Sequence, residues 1–157
     1  RDFGVPQNRE RIFIFGYIDF IFFQFPDPLN IKTKLGEILD ENIPEKYTIS
    51  SRMWESAIRR KENNRKRGYG FGYSLFNKDS EYTSTISARY YKDGSEIWID
   101  DGKETPRMLT PNEARKLQGF PEGFKIPVSD LQAYKQFGNS VSVPVTRAIA
   151  KKIVDHL

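Results

Sequence analysis

"VPQNRERIFIFG" (residues 5–16) joins a polar row to an apolar run, and the way it is read decides the fold. Gln7, Arg9 and Arg11 recur at every second position and lead straight into Ile12, Phe13, Ile14 and Phe15. In an extended chain alternate residues share a face, so the three polar side chains project together at the entry to a strand over about 11–18. A core strand has no use for that row. The spacing therefore points to something outside the strand that needs it.

Moving outward, "FPDP" (25–28) breaks any continuation with two prolines. "KTKLGEILDENIP" (32–44) sets Leu35, Ile38 and Leu39 at helical spacing before Pro44 bars more helix. Met53, Trp54, Ala57 and Ile58 lie on one side of a polar helix predicted over 51–63. Alternation over 82–90 predicts a strand, "KDGS" (92–95) a turn, and "EIWI" (96–99) the second strand of a hairpin. In "LTPNEARKLQGFP" (109–121), Thr110 and Glu113 form a capping-box pattern, Pro111 suits the first helical position, and Gly119 closes the helix. A last helix starts near Pro144, with Val145, Ile149 and Ile153 four apart. The chain reads as mixed α/β.

The length of 157 residues suits one domain or parts of two, and an aromatic share of 14% excludes a disordered tail. The net charge is only +4, but seven cations fall between Arg52 and Arg67 against Glu55 and Glu62. Such a focus fits a polyanionic partner, or simply a solvated helix face. With no Cys, disulfides, zinc–thiolate sites and a thiol nucleophile are excluded within this chain, and no metal constellation can be assembled. The single histidine, His156, reads as a frayed surface residue near the end. The apolar stretch "IDFIFFQF" (18–25) is too short to span a bilayer and no signal peptide is visible, so the expectation is a soluble intracellular protein with no membrane partner.

Two motifs stay open on local grounds. "RKRGYGFGYSLF" (65–76) has the glycines of a phosphate cradle, but a charge run precedes it and strand-like sequence follows. It reads as a hairpin loop, or as a mobile loop that enters a groove with Phe71 or Tyr73 stacking or wedging between bases. In "QFGNSVSVPV" (136–145), Asn139 or Ser140 caps the following helix or holds a polar ligand group near its N-terminus. Asp100 and Asp101 need no more than turn chemistry.

Three blocks in order, "VPQNRERIFIFG" (5–16), "RMLTPNEARKLQGFP" (107–121) and "AYKQFGNSVSVPVTRAIAKKI" (133–153), resemble the last three conserved motifs of DNA (cytosine-5)-methyltransferases. The family's variable target-recognition region would be residues 28–106. The resemblance implies that the target cytosine is swung out of the duplex into a pocket. Arg11 would hydrogen-bond the flipped base, Arg9 would support the pocket, and Gln7 would complete the motif on the DNA side. A guanidinium suits this role because it stays charged and offers fixed donors. Asn139 and Ser140 would contact S-adenosylmethionine, and Thr85 in "STIS" would grip a phosphate, with Ile86 replacing the family's usual Leu. Arg107 and Glu113 would be structural.

By the same resemblance a cysteine thiolate adds to C6 of cytosine, C5 takes the sulfonium methyl, and loss of the C5 proton frees the enzyme. The cysteine, acid and Gly-rich cofactor motifs should lie upstream. The chain, starting without Met, therefore reads as the C-terminal portion of a cytoplasmic enzyme of prokaryotic or phage origin, inactive alone; a split two-subunit enzyme is the other option. Residues 1–27 would close a Rossmann-like cofactor domain, 28–124 would form a small strand-rich recognition domain, and 125–157 would return to the first. Double-stranded DNA is the expected partner besides the missing N-terminal portion. Arg65, Arg67, Phe71, Tyr73, Arg89 and Tyr90 are the candidates for reading its sequence. Phe13, Phe15, Ile149 and Ile153 should be left without partners, so self-association is expected. A stand-alone sequence-specific DNA-binding module is the competing reading; an RNA-binding protein lacks its sheet motif.

Overall fold

The structure, a computed structural model, describes residues 1–18 and 22–155. Among these, four helices carry most of the regular backbone: α1 (Ser51–Lys66), α2 (Pro111–Leu117), α3 (Asp130–Asn139) and α4 (Val143–Val154). Three two-residue strands, β1 (Leu75–Phe76), β2 (Trp98–Ile99) and β3 (Arg107–Met108), form one sheet in the order β1-β2-β3. β2 pairs parallel to β1 and antiparallel to β3. The fold is α+β, with loops rather than long ladders covering the core.

α2 forms as its sequence predicts. The Thr110 hydroxyl accepts from the Glu113 amide, and the Glu113 carboxylate accepts from the Thr110 amide in return, satisfying two orphan donors. Gly119 follows with φ +74°, the left-handed turn that ends the helix. α1 extends a turn beyond the predicted 51–63, with Ser50 capping it.

Elsewhere tertiary bonds override the local pattern. Residues 82–90 form no strand and 96–99 no hairpin with them. The Thr83 amide donates to the Pro6 carbonyl and the Ile86 amide to the Gln7 side chain, while residues 88–93 turn. Residues 35–37 make only a short 3-10 turn, because the Leu35 and Gly36 amides go across to the Ser80 and Lys78 carbonyls. Residues 11–17 hold no regular strand either, since no ladder partner lies beside them among the described residues. Period-two exposure nevertheless persists there: Ile12 and Ile14 are 89% exposed, while Phe13 and Phe15 are half-buried. Phe15 packs on Phe23 and Phe25 at 5.3 and 5.5 Å between centroids.

The main core joins Leu35, Ile86, Tyr90, Ile97, Ile99, Leu109 and Leu117 to Ala133, Tyr134 and Phe137 of α3. Each such side chain contributes roughly 1.5–3 kcal/mol by leaving water. α3 did not stand out in the sequence, although Ser129 caps it and Ala133, Tyr134 and Phe137 mark its buried side. A second cluster seats α1 through Ala57, Met53 and Trp54 on Trp98 of β2. His156 lies outside the described residues.

Candidate functional site

Gln7 and Arg9 share a side, both bonding Ile86, and burial falls along the segment towards Arg11. Gln7 is wholly buried, Arg9 half-buried and Arg11 exposed. Gln7 is therefore no DNA contact: its Nε2 donates to the Leu117 carbonyl and to Gln118 Oε1, both at 3.3 Å, and its Oε1 accepts from the Ile86 amide at 3.0 Å. Three of its hydrogen-bonding positions are spent inside, as a buried amide requires.

Arg9 ties three carbonyls together. Nη1 donates to Ile86 at 3.1 Å, and Nη2 donates to Gly138 at 3.0 Å and Ser140 at 2.5 Å. Burial first, then the neighbouring Arg11 charge, lowers its pKa to about 10. It remains cationic at neutral pH, and its charge strengthens each bond to a carbonyl dipole. Gly138 is needed at this crossing: a Cβ there would run into the Ser87 carbonyl, so the 138–140 segment could not close onto 86–88. Arg11 points away, donating only to the Glu10 carbonyl at 2.6 Å.

Gln118 completes the stitching. Its Nε2 donates to the Phe137 carbonyl at 2.7 Å, and its own carbonyl accepts from the Val143 amide at 2.9 Å. Asn139 and Ser140 do not cap α4. They end α3, where the Ser140 hydroxyl donates back to Phe137, while Ser142 sits at the N-cap of α4. The Asn139 side chain is exposed and makes no hydrogen bond among the described residues, at the edge of a shallow cleft that also takes in Ser140 and Gln136. Thr85 is half-buried and donates its hydroxyl to the Asn8 carbonyl at 2.7 Å, leaving its lone pairs free.

The proposed DNA readers divide. Arg65, Arg67, Phe71 and Arg89 are exposed. Tyr90 is not: it is 0% exposed, its hydroxyl donating to Ile97 and accepting from the Leu109 amide, with burial pushing its pKa up. Tyr73 also packs inward, stacked on Trp98 at 5.5 Å with the Lys61 ammonium over its ring at 4.1 Å. The expected unpartnered faces shift as well. Ile149 is buried and Ile153 half-buried, so Ile12 and Ile14, not Phe13 and Phe15, form the exposed apolar row.

Behind the site, Arg107 and Glu113 make a buried two-point ion pair at 2.8 and 2.9 Å. Asp40 collects Thr110, Asn112 and Lys116 at 2.7–2.8 Å. Burial alone would raise the Asp40 carboxyl, but these donors outweigh it and hold it below its ordinary value.

With this geometry in place, the chain belongs to the C-5 cytosine-specific DNA methylase family, whose model matches residues 1–155. It is 58% identical over 162 residues to the Type II methyltransferase M1.ScrFI of Lactococcus lactis subsp. cremoris, covering 100% of this chain and 42% of that protein. It is likewise 58% identical to M.NlaX of Neisseria lactamica, covering 98% and 49%. The chain thus spans about half the length of the curated relatives it matches. Its fold resembles that of the Entamoeba histolytica methyltransferase EhMeth, with a TM-score of 0.70 at 22% identity over 98% of this chain and 50% of that one. Among the described residues no helix is long and apolar enough to cross a membrane.

Proposed function

We propose that this chain is the target-positioning and DNA-reading part of a DNA (cytosine-5)-methyltransferase that acts on cytosine within a short duplex sequence. The observation that carries the reading is the direct stitching of three distant blocks: Gln7 to Leu117 and Gln118, Gln118 to Phe137, and Arg9 to Gly138 and Ser140. A segment that is buried, then half-buried, then exposed gives each residue a distinct task. Gln7 holds the floor, Arg9 fixes the rim, and Arg11 presents its guanidinium to the O2 of an everted base. Thr85, beside this rim, turns its hydroxyl from the Asn8 carbonyl to donate to a flanking phosphate oxygen.

When bound, S-adenosylmethionine supplies the electrophilic methyl group. The free Asn139 amide and the adjacent Ser140 fit it as one polar wall, with Arg9 fixing the backbone of that wall. The nucleophilic thiol must come from outside this sequence, which has no Cys. Residues 1–27 then belong to the Rossmann-like catalytic domain, 28–124 to the recognition domain, and 125–157 to the return segment. In isolation the Ile12 and Ile14 row favours self-association, and a monodisperse monomer on a sizing column counts against that point.

The test is to express the complete reading frame that carries this chain in a host lacking cytosine methylation, with the chain alone in parallel. Methylation of cytosine in one short motif from the full frame, and none from the chain alone, is the expected outcome. Arg11→Ala in the full frame should lower kcat/KM by about a hundredfold, the scale of a lost charged hydrogen bond of about 3 kcal/mol. No methylation from the full frame overturns the proposal in favour of a non-catalytic DNA-binding module.

A further inference from the structure

Residues 67–73, at the C-terminal end of α1, carry an exposed aromatic pair outside the stitched site. Tyr69 and Phe71 stack on each other with centroids 5.3 Å apart and planes 21° from parallel, and they are 53% and 64% exposed. Two large rings gain little by stacking in water unless the backbone already holds them together. Here it does. The Tyr69 amide donates to the Asn64 carbonyl at 2.8 Å, and the Asn64 side chain donates to the Phe71 carbonyl at 3.1 Å, so one residue of α1 clasps the loop on both sides of Gly70. Lys61 fixes the exit, donating to the Tyr73 carbonyl at 3.0 Å, and Tyr73 itself is anchored on Trp98. The loop, open between a hairpin and a mobile element in the sequence, is a braced fin.

Cations precede the fin along α1 and its C-cap. Arg59, Arg65 and Arg67 are exposed and make no ion pair among the described residues, whereas Lys66 is paired with Glu62 at 3.0 Å. An apolar, preorganised tip next in sequence to two free guanidinium groups, Arg65 and Arg67, suits duplex DNA, with bases in the groove and phosphates along its edge.

The geometry points to Tyr69 and Phe71 as the base-contacting tip of the recognition segment, entering a DNA groove as a unit while Arg65 and Arg67 hold the flanking phosphates. This rests on the DNA-reading role proposed above and deepens it. Tyr69, not among the residues expected to read DNA, takes the place expected of Tyr73, whose ring packs on Trp98. Bracing matters to affinity, since a loop ordered before binding loses little further entropy on the DNA.

The complete reading frame provides the test, with Phe71→Ala, Tyr69→Ala and Arg65→Gln compared on a pool of randomised duplexes. Loss of the aromatic contact should raise KM for DNA by about tenfold in Phe71→Ala, about 1.4 kcal/mol, and flatten the base preference at one or two positions, with the salt slope of binding unchanged. Arg65→Gln should instead weaken binding to all sequences alike and reduce that slope by about one. Phe71→Ala with the wild-type base preference and KM overturns the inference. So does loss of activity accompanied by a lowered melting temperature, which would make the ring a structural prop; Tyr69→Ala repeats the test on the other ring. If the wild-type frame transfers no methyl group, the function proposed above fails by itself. The fin is then judged from duplex affinity alone: unchanged affinity in both aromatic variants rejects it, and weakened affinity at an unchanged salt slope upholds it.

Discussion

α1 and α2 carry similar charged residues to opposite ends. On the sixteen-residue α1 the cations face water, and Arg59, Arg65 and Arg67 have no ion-pair partner among the described residues. On the seven-residue α2, Glu113 is 0% exposed and locked to Arg107, itself 3% exposed. The first set leaves its field available to a polyanion; the second spends its charge within the protein. A guanidinium in this molecule is therefore defined by what surrounds it rather than by its type. Arg9 stands between the two sets, half-buried and bonded only to carbonyls.

The contrast is broken most sharply at Glu113. Glu113→Ala should lower the unfolding free energy by about 3 kcal/mol, because the buried Arg107 would keep only its looser contact with Asp101 at 3.7 Å and the capping box would be lost. Urea denaturation measures this directly, and a loss below about 1 kcal/mol would place Glu113 with the exposed charges. Gln7→Ala comes next, at about 1–3 kcal/mol, since it strands the Ile86 amide and the Gln118 side chain inside.

Acid sharpens the same contrast. Asp40 and Asp130 are both held below the ordinary carboxyl value of 3.8, Asp40 by Lys116, Thr110 and Asn112 against its burial, and Asp130 chiefly by Lys46. The unfolded chain then binds more protons than the folded one as these groups titrate. Their stabilising contribution is full above pH 3.8 and disappears as the pH falls through the folded values beneath it. Asp40→Asn should flatten the acid limb of stability against pH. An unaltered limb in a melting series from pH 5 to about pH 2 would mean that the Asp40 contacts add nothing to stability. The smallest expected change is at Arg59→Gln: stability within about 0.5 kcal/mol of the parent, and a salt slope of duplex binding lower by about one.

The same division explains what could be read from the sequence. α2 was legible because its cap, Thr110 to Glu113, closes within three residues, and Gly119 follows at once. Residues 82–90 were not, because the groups that take their amides, Pro6 and Gln7, lie more than seventy positions away and cancel a strand that alternation alone favours. Tyr90 looked like a groove-reading ring, yet its hydroxyl is the hub joining Ile97 to Leu109, a role that no local pattern discloses. The alternate spacing did place Gln7 and Arg9 on one side, where both bond Ile86. Even spacing along an extended chain gave no sign that the segment would pass from core to solvent, nor that Phe71 would stack on Tyr69 while Tyr73 packs on Trp98.

Arg9 reaches its last acceptor, Ser140, across a separation of 131 residues. During synthesis at ~5–20 residues per second, that acceptor leaves the ribosome roughly 7–26 s after Arg9 does. The rim of the site cannot close locally, so through that interval the opening segment, with its Ile12 and Ile14 row, must avoid premature association. The timing of assembly is written into a single side chain.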